Sequence, residues 1–362
     1  MCIRDSHRRP EEVCFTKSLK EDLLRRDFTI NAMAYNDRDG LIDYYGGAED
    51  LKKKTIRCVG DARRRFDEDA LRILRALRFQ AQLGFVIEEE TKQAIQKQAK
   101  FLKDISAERI QTELTKLLLS DHPETILDAY DLGVTKVVLP EFDRMMETPQ
   151  NNPHHCYNVG VHTVEALKNT EPDHILRWTM LLHDVGKPEA RVEGKVKDSF
   201  QGHNIIGEEM SRKILRRLKF DNQTIKQVTR LVYWHDVRFA SLGEVNKKTV
   251  RRWASRISVP LFEKLVKIQQ ADISAQSTFM QEEKQRILDS TRLLFEEIKE
   301  EKDCLQVKDL ALDGKDLISL GMKPGKEIGE MLTGLLELVL EDPAQNKREV
   351  LEQAVREKRG EL

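Results

Sequence analysis

The chain has 362 residues, 40% of them hydrophobic, 34% charged and only 6% aromatic, a balance that excludes a disordered or collagen-like chain and fits a helix-rich protein. At about 150 residues per domain it holds two or three domains. Lys and Arg number 61 against 62 Asp and Glu, a formal net charge of -1, so any nucleic-acid-binding surface must be local.

No apolar run approaches the roughly 20 residues needed to cross a bilayer. The opening MCIRDSHRRPEEV lacks the apolar core of a secretory signal and reads as an abrupt start. Cys2, Cys14, Cys58, Cys156 and Cys304 include no C-x-x-C pair, which argues against a disulfide framework or zinc knuckle and fits a reducing cytoplasm.

In chain order, the first signal is FTINAMAYNDRDGLIDYY, from Phe28 to Tyr45. It alternates apolar and polar residues about an Asp-Arg-Asp-Gly turn and predicts a β-hairpin, with Asn31 on its first strand. A two-stranded hairpin is marginal alone, so this one reads as the end of a larger sheet. Beyond Phe66 the pattern is almost wholly helical: Asp67 is placed to cap a helix with a Leu71, Leu74, Leu77 stripe, closed by Gly84. On that helix Asp69, Arg72, Arg75 and Arg78 recur at steps of three and form a drifting polar stripe. An Asp beside guanidiniums can read the donor and acceptor edge of a base while the remaining cations meet phosphates.

Further helices are predicted near 88–101, 106–119 and 122–132, followed by METPQNNPHH, read as a linker. The next helical unit carries His162, His183, Asp184, His203, His235 and Asp272. Six ordered imidazoles and carboxylates within one helical bundle point to a site for Mn, Fe, Zn, Ni or Mg. Asp236, directly after His235, competes with Asp272, and His154 and His155 read as loop residues. A charged helix near 281–300 leads to a last unit, where Gly321 ends one short helix and Pro324–Gly325 begins another. The free N–H groups there, beside Lys323 and Lys326, suit a phosphate.

Several of these motifs together resemble the class II nucleotidyltransferases that build or repair the tRNA 3′ CCA end, and the related bacterial poly(A) polymerases. RRDFTINAMA is similar to their second motif, DYYGGAEDL with IRCVG to the third, EDALR to the base-reading motif and ERIQTEL to the neck motif. The resemblance implies that Arg26, Asn31, Asp69, Arg72, Arg75 and Arg78 bind ATP or CTP, with Mg²⁺ serving the transfer and tRNA as partner. That family also begins with G-G-x-x-R-D and an Asp-x-Asp metal pair, neither of which occurs upstream of Arg25. Two-metal phosphoryl transfer needs those carboxylates, so the chain is expected not to polymerise by itself.

The order H…HD…H…H…D, with HDVGKP at His183 to Pro188, resembles the HD phosphohydrolases. It implies that His162, His183, Asp184 and Asp272 hold one ion, that His203 and His235 support a second, and that Lys187 neutralises a phosphate. By the resemblance to the CCA-type enzymes the last segment is the tail that holds the tRNA elbow, with Lys323, Gly325 and Lys326 on RNA. The expected fold is mainly α: a nucleotidyltransferase head remnant with residual strands (1–60), a helical neck (61–145), a helical HD domain (154–276) and a helical tail (280–362). Two rival readings are a chain in which only the HD phosphodiesterase or phosphatase works, and a non-catalytic RNA-binding scaffold.

Overall fold

The computed structural model describes residues 2–6, 9–14, 16–194, 197–240 and 244–360. Helix takes 64% of the chain and strand 5%, so the mainly α expectation holds. The chain forms two compact units, Met1–His235 with Ser274–Phe279, and Asp236–Ile273 with Met280–Leu362. No described helix is long and apolar enough to cross a membrane.

The first unit opens with an antiparallel pair, β1 (Cys2–Ser6) and β2 (Arg9–Cys14), then helix α1 (Leu19–Leu24). The predicted hairpin forms, but with shorter arms: β3 (Met33–Asn36) pairs with β4 (Gly40–Asp43) in antiparallel register. Thr29–Asn31 is a single 3₁₀ turn, so Asn31 does not sit on a strand. The chain turns there because the Thr29 N–H donates to the Arg57 carbonyl (2.9 Å) and its hydroxyl to Asp50 (2.6 Å). The next helix, α2 (Gly47–Lys52), starts against that turn. A Cβ on Gly47 would lie 2.2 Å from the Thr29 carbonyl oxygen, and Asp43 accepts the N–H groups of Tyr45, Gly47 and Ala48.

After β5 (Thr55–Ile56) come two helices where one was expected, α3 (Ala62–Glu68) and α4 (Leu71–Leu83). Asp61, not Asp67, caps the first by accepting the Arg64 N–H (3.0 Å). Asp69 is extended between them, so it precedes the arginine-bearing helix rather than sharing its stripe. Gly84 closes α4 in the left-handed region, at φ +64°, as read from sequence. Ile73, Leu74 and Leu77 are fully buried beneath Phe28, whose ring meets Phe79 edge-on at 5.8 Å. The two-residue strand β6 (Val86–Ile87) runs parallel to β5, a pairing too short to show in the sequence pattern.

The helices then continue as α5 (Glu89–Gln98), α6 (Ala107–Leu118), α7 (Thr125–Asp131), α8 (Thr135–Val138) and α9 (Pro140–Met146). Beyond a loop come α10 (Val159–Lys168), α11 (His174–Leu182), α12 (Lys187–Ala190), α13 (His203–Arg217) and α14 (Asn222–Trp234). Asn158, Asp173 and Asp221 cap α10, α11 and α14 through their side chains. The buried Trp178 donates its indole N–H to Thr115 (3.0 Å), and Arg177 donates to the Leu118 carbonyl (3.0 Å), tying α11 to α6.

The second unit is α15 (Lys247–Ile257), α16 (Val259–Ser274), α17 (Gln281–Glu300), α18 (Gly314–Ser319), α19 (Lys326–Glu341) and α20 (Arg348–Arg359). The buried Arg251 pairs with Asp303 (3.1 Å) and donates to the Leu340 carbonyl (2.9 Å), joining α15 to α19.

Two glycines make opposite predictions. Gly186 lies so close to α13 that a Cβ would sit 2.2 Å from the His203 carbonyl and 2.6 Å from the Gly207 nitrogen, whereas Gly329 on α19 has open space around it. Gly186→Ala should therefore cost about 1–3 kcal/mol or more by overpacking. Gly329→Ala should stabilise by about 0.5–1 kcal/mol through helix propensity. Thermal unfolding of the two variants checks the signs.

Candidate functional site

Four imidazoles and one ammonium converge on Asp184. Its Oδ2 lies 3.2 Å from His183 Nε2, 3.8 Å from His162 Nε2 and 2.7 Å from Lys187 Nζ, and its Oδ1 lies 3.5 Å from His235 Nε2 and 3.7 Å from His203 Nε2. All six side chains are buried. Burial pushes the Asp184 carboxyl up, but His183, Lys187 and the hydrogen bonds of His183 and His235 outweigh it and hold the group well below the usual carboxylate range.

The histidines are oriented by the backbone. His183 Nδ1 is 2.7 Å from the Met180 carbonyl, His203 Nδ1 2.8 Å from Phe200, His235 Nδ1 2.6 Å from Val232 and His162 Nδ1 3.3 Å from Ala275. A carbonyl can only accept, so each Nδ1 carries a proton, and Nε2 is the nitrogen turned toward the cluster. This is the arrangement in which a histidine ligates a metal with its second nitrogen fixed from behind.

His203 Nε2 and His235 Nε2 stand 3.2 Å apart. With metal–nitrogen bonds of about 2.1 Å, two ligands at tetrahedral or octahedral angles are separated by about 3.0–3.4 Å, so the pair fits a shared ion. Asp184, His203 and His235 offer ligand atoms all within 4.8 Å of one another. Three helices and the turn after α11 thus bring five of the sequence-predicted residues, with Lys187, to one place. Asp272 lies near the end of α16, in the second unit. The loop read as a linker also contributes. Gln150, which sequence reasoning passed over, accepts a hydrogen bond from Lys187 (2.8 Å), and His155 packs edge-on against His162 at 4.8 Å.

The arginine-rich region is braced by acids. Arg75 binds Asp27 Oδ2 through both Nε (2.7 Å) and Nη2 (2.5 Å), while Asp27 Oδ1 accepts from the Phe28 N–H (2.9 Å) and Asn31 (3.3 Å). Arg72 donates to Glu68 (2.8 Å) and to the carbonyls of Arg65 and Arg25 (both 2.9 Å). Arg78 is buried against Glu113 at 3.2 Å, and burial pulls its pKa down from the ordinary guanidinium value. Asp69 accepts from Arg109 of α6 (2.7 Å). Arg26 stays exposed, 3.6 Å from Asp22. Asp27, Arg109 and Glu113 are partners that spacing alone did not reveal, although ERIQTEL contains two of them. A polar cleft of about 340 Å³ opens nearby between Thr29, Arg57, Asp61 and Thr91, and none of the predicted residues lines it.

In the second unit Gly325 begins α19 at φ +154°, a backbone suited to glycine, and offers no side-chain cap. Lys326 is exposed and 2.9 Å from Glu330, and Lys323 is exposed.

Three family models match the chain: the poly A polymerase head domain at residues 3–57, a region described as an RNA and SrmB binding site of polymerase A at 84–146, and a tRNA nucleotidyltransferase domain 2 at 203–355. The CCA-adding enzyme of Enterococcus faecalis is 32% identical over 361 residues, covering 95% of this chain and 73% of that protein. The A-adding tRNA nucleotidyltransferase of Deinococcus radiodurans is 34% identical, with 88% and 75% covered. Among solved structures, the Bacillus stearothermophilus CCA-adding enzyme in complex with CTP shares the fold at a TM-score of 0.66 and 24% identity, over 96% of this chain and 77% of that one. A Thermotoga maritima CCA-adding enzyme complexed with tRNA has a TM-score of 0.53 at 23% identity, over 94% and 74%. With more than 30% identity across nearly three quarters of a curated relative, the chain belongs to the class II CCA-adding enzyme and poly(A) polymerase family of nucleotidyltransferases.

Proposed function

We propose that this chain is a tRNA nucleotidyltransferase of the CCA-adding type that uses CTP and ATP, with an HD metal-dependent phosphohydrolase centre and an RNA-binding tail. The likeness to CCA-adding enzymes along 361 residues is the observation that supports the transferase reading most strongly. Cytosine and adenine both present an exocyclic amine beside a ring-nitrogen acceptor, a pattern that one carboxylate and one guanidinium can meet. Asp69 and Arg72 are assigned that role. Arg26, Asn31, Arg75 and Arg78 are assigned to the rest of the nucleotide, directly or through the Asp27 and Glu113 pairs. Transfer itself is assigned to the family's Asp-x-Asp metal pair with Mg²⁺, which does not occur upstream of Arg25.

The phosphohydrolase reading is supported by the convergence of four Nε2 atoms on Asp184. His162, His183, Asp184, His203 and His235 would hold Mn²⁺, Fe²⁺, Ni²⁺ or Mg²⁺, which supplies Lewis acidity toward phosphorus when bound. Asp272 is assigned to the set by its place in the motif order. Lys187 brings a positive charge beside that site for a phosphoryl oxygen. In the tail, Lys323, Lys326 and the N–H groups after Gly325 are assigned to tRNA phosphates, with no base readout.

Three experiments test these assignments. Asp69→Ala should weaken CTP and ATP binding about 10-fold or more, the worth of a good bidentate base contact, while inorganic triphosphate binds within about twofold. The unextended chain should add no CTP or ATP to a tRNA lacking CCA, and calorimetry with a labelled-primer assay reads both.

Asp184→Ala should abolish metal content and phosphoesterase activity together while the far-ultraviolet circular dichroism stays helical. Metal analysis that finds the ion retained would exclude the assignment.

Replacing Lys323 and Lys326 together by Ala should lower the slope of log affinity against log salt by about two units, equally for different tRNAs. A loss confined to one tRNA sequence would exclude a backbone handle.

A further inference from the structure

We propose that Gln150 is a positioning residue that holds Lys187 over the metal cluster as the anchor for a phosphoryl group; this rests on the phosphohydrolase reading. Gln150 and Lys187 are both buried, at 8% and 6% exposure, although Gln150 belongs to a segment whose sequence reads as a surface linker.

A lysine ammonium has three N–H donors. Two are taken, by Asp184 Oδ2 (2.7 Å) and by Gln150 Oε1 (2.8 Å), and the Phe200 ring lies 5.5 Å from Nζ. Two fixed acceptors define the direction of the third donor, which is left for an anion. Held by Asp184 alone, the ammonium would keep its freedom to rotate about that one contact.

The choice of Gln matters electrostatically. Asp184 already supplies one negative charge to Lys187, and a second carboxylate would cancel the attraction for phosphate. A carboxamide oxygen binds the ammonium firmly and leaves its charge available.

The surroundings fix Gln150 in turn. Its amide nitrogen donates to the Tyr157 carbonyl (3.3 Å). The neighbouring Asn151 carbonyl accepts from the Asp198 N–H (2.9 Å), and the Asn151 N–H donates to the Asp198 carboxylate (3.3 Å), which is buried and bound to Arg191 (3.1 Å). Farther along, Val159 N–H donates to the Thr148 carbonyl (3.0 Å). A loop clamped on both sides of Gln150 has the rigidity that positioning requires.

The test uses the full chain loaded with Mn²⁺. Gln150→Leu should keep the metal content and helicity of the wild type, weaken inorganic phosphate binding about 10-fold, the size of one hydrogen bond to a charged group, and raise KM for p-nitrophenyl phosphate by a similar factor with kcat within about twofold. Gln150→Glu, which keeps an acceptor and adds a charge, should also weaken phosphate binding.

In a Lys187→Met background, Gln150→Leu should change phosphate affinity by less than about twofold, because the two residues act as one unit. Wild-type phosphate affinity in Gln150→Leu with metal retained, or an additive effect in the double variant, would overturn this assignment and leave the metal centre standing. A wild-type chain that takes up no metal would overturn the phosphohydrolase reading itself, and this assignment with it.

Discussion

The arrangement of the histidine-bearing helices depends on one buried carboxylate. Asp184 is 1% exposed and stays ionised only because His183, Lys187 and two imidazole contacts offset the cost of removing it from water. Each of those partners is itself placed by backbone geometry. His183 and His235 sit at the ends of α11 and α14 and bond the carbonyl three residues back, and His203 does the same from the start of α13. These carbonyls lie at helix ends or in the turn before one, where backbone acceptors are otherwise short of partners. One device thus satisfies three carbonyls and aims three Nε2 atoms at the cluster. The close approach of Gly186 to Gly207 then brings the HD turn and α13 within reach of each other.

The arginine-bearing region around α4 solves the opposite problem, an excess of positive charge on one helix. Arg72, Arg75 and Arg78 repeat every three residues of α4 and would repel one another in an apolar setting. Glu68, Asp27 and Glu113 answer them one for one, from α3, the strand approach and α6. The buried Arg78–Glu113 pair carries the highest cost if either partner is removed, since the survivor stays as an uncompensated charge. The half-exposed Arg109–Asp69 pair is the cheapest to open. On the proposed assignment, a base that takes Asp69 displaces the weakest of these contacts and leaves the brace intact.

What could be read from the sequence divides along physical lines. The convergence of the four histidines on Asp184 was legible because imidazoles and a carboxylate in that order through one helical bundle can meet at one place, and HDVGKP supplies two of them side by side. Asp61 as the cap of α3, the break at Asp69 and the 3₁₀ turn at Asn31 were not. At Asn31 and Asp69 a local periodicity ran on smoothly and a contact distant in sequence interrupted it, Thr29 with Arg57 and Asp50 or Asp69 with Arg109, whereas the Asp61 cap is a local bond to the Arg64 N–H. Gln150 was hidden for a different reason. Pro, Asn and Gln in METPQNNPHH have the composition of a solvated loop, and only the clamp by Asp198 shows that this loop is built into the cluster.

Helix α6 connects the two sites of the first unit. Arg109 and Glu113 are four residues apart and share one face, which meets Asp69 and Arg78. Thr115 and Leu118 fall on the opposite side, where they take the hydrogen bonds of Trp178 and Arg177 at the start of α11. The far end of α11 is His183. Asp69 and Asp184 are therefore joined through two packed helices, by a half-exposed ion pair at Arg109 and by buried hydrogen bonds between α6 and α11. Such a path is stiff, because interior packing admits little adjustment without breaking a buried pair. The position of the His183–Asp184 turn is thus set in part by Thr115 and the Leu118 carbonyl, which follow ERIQTEL on the same helix.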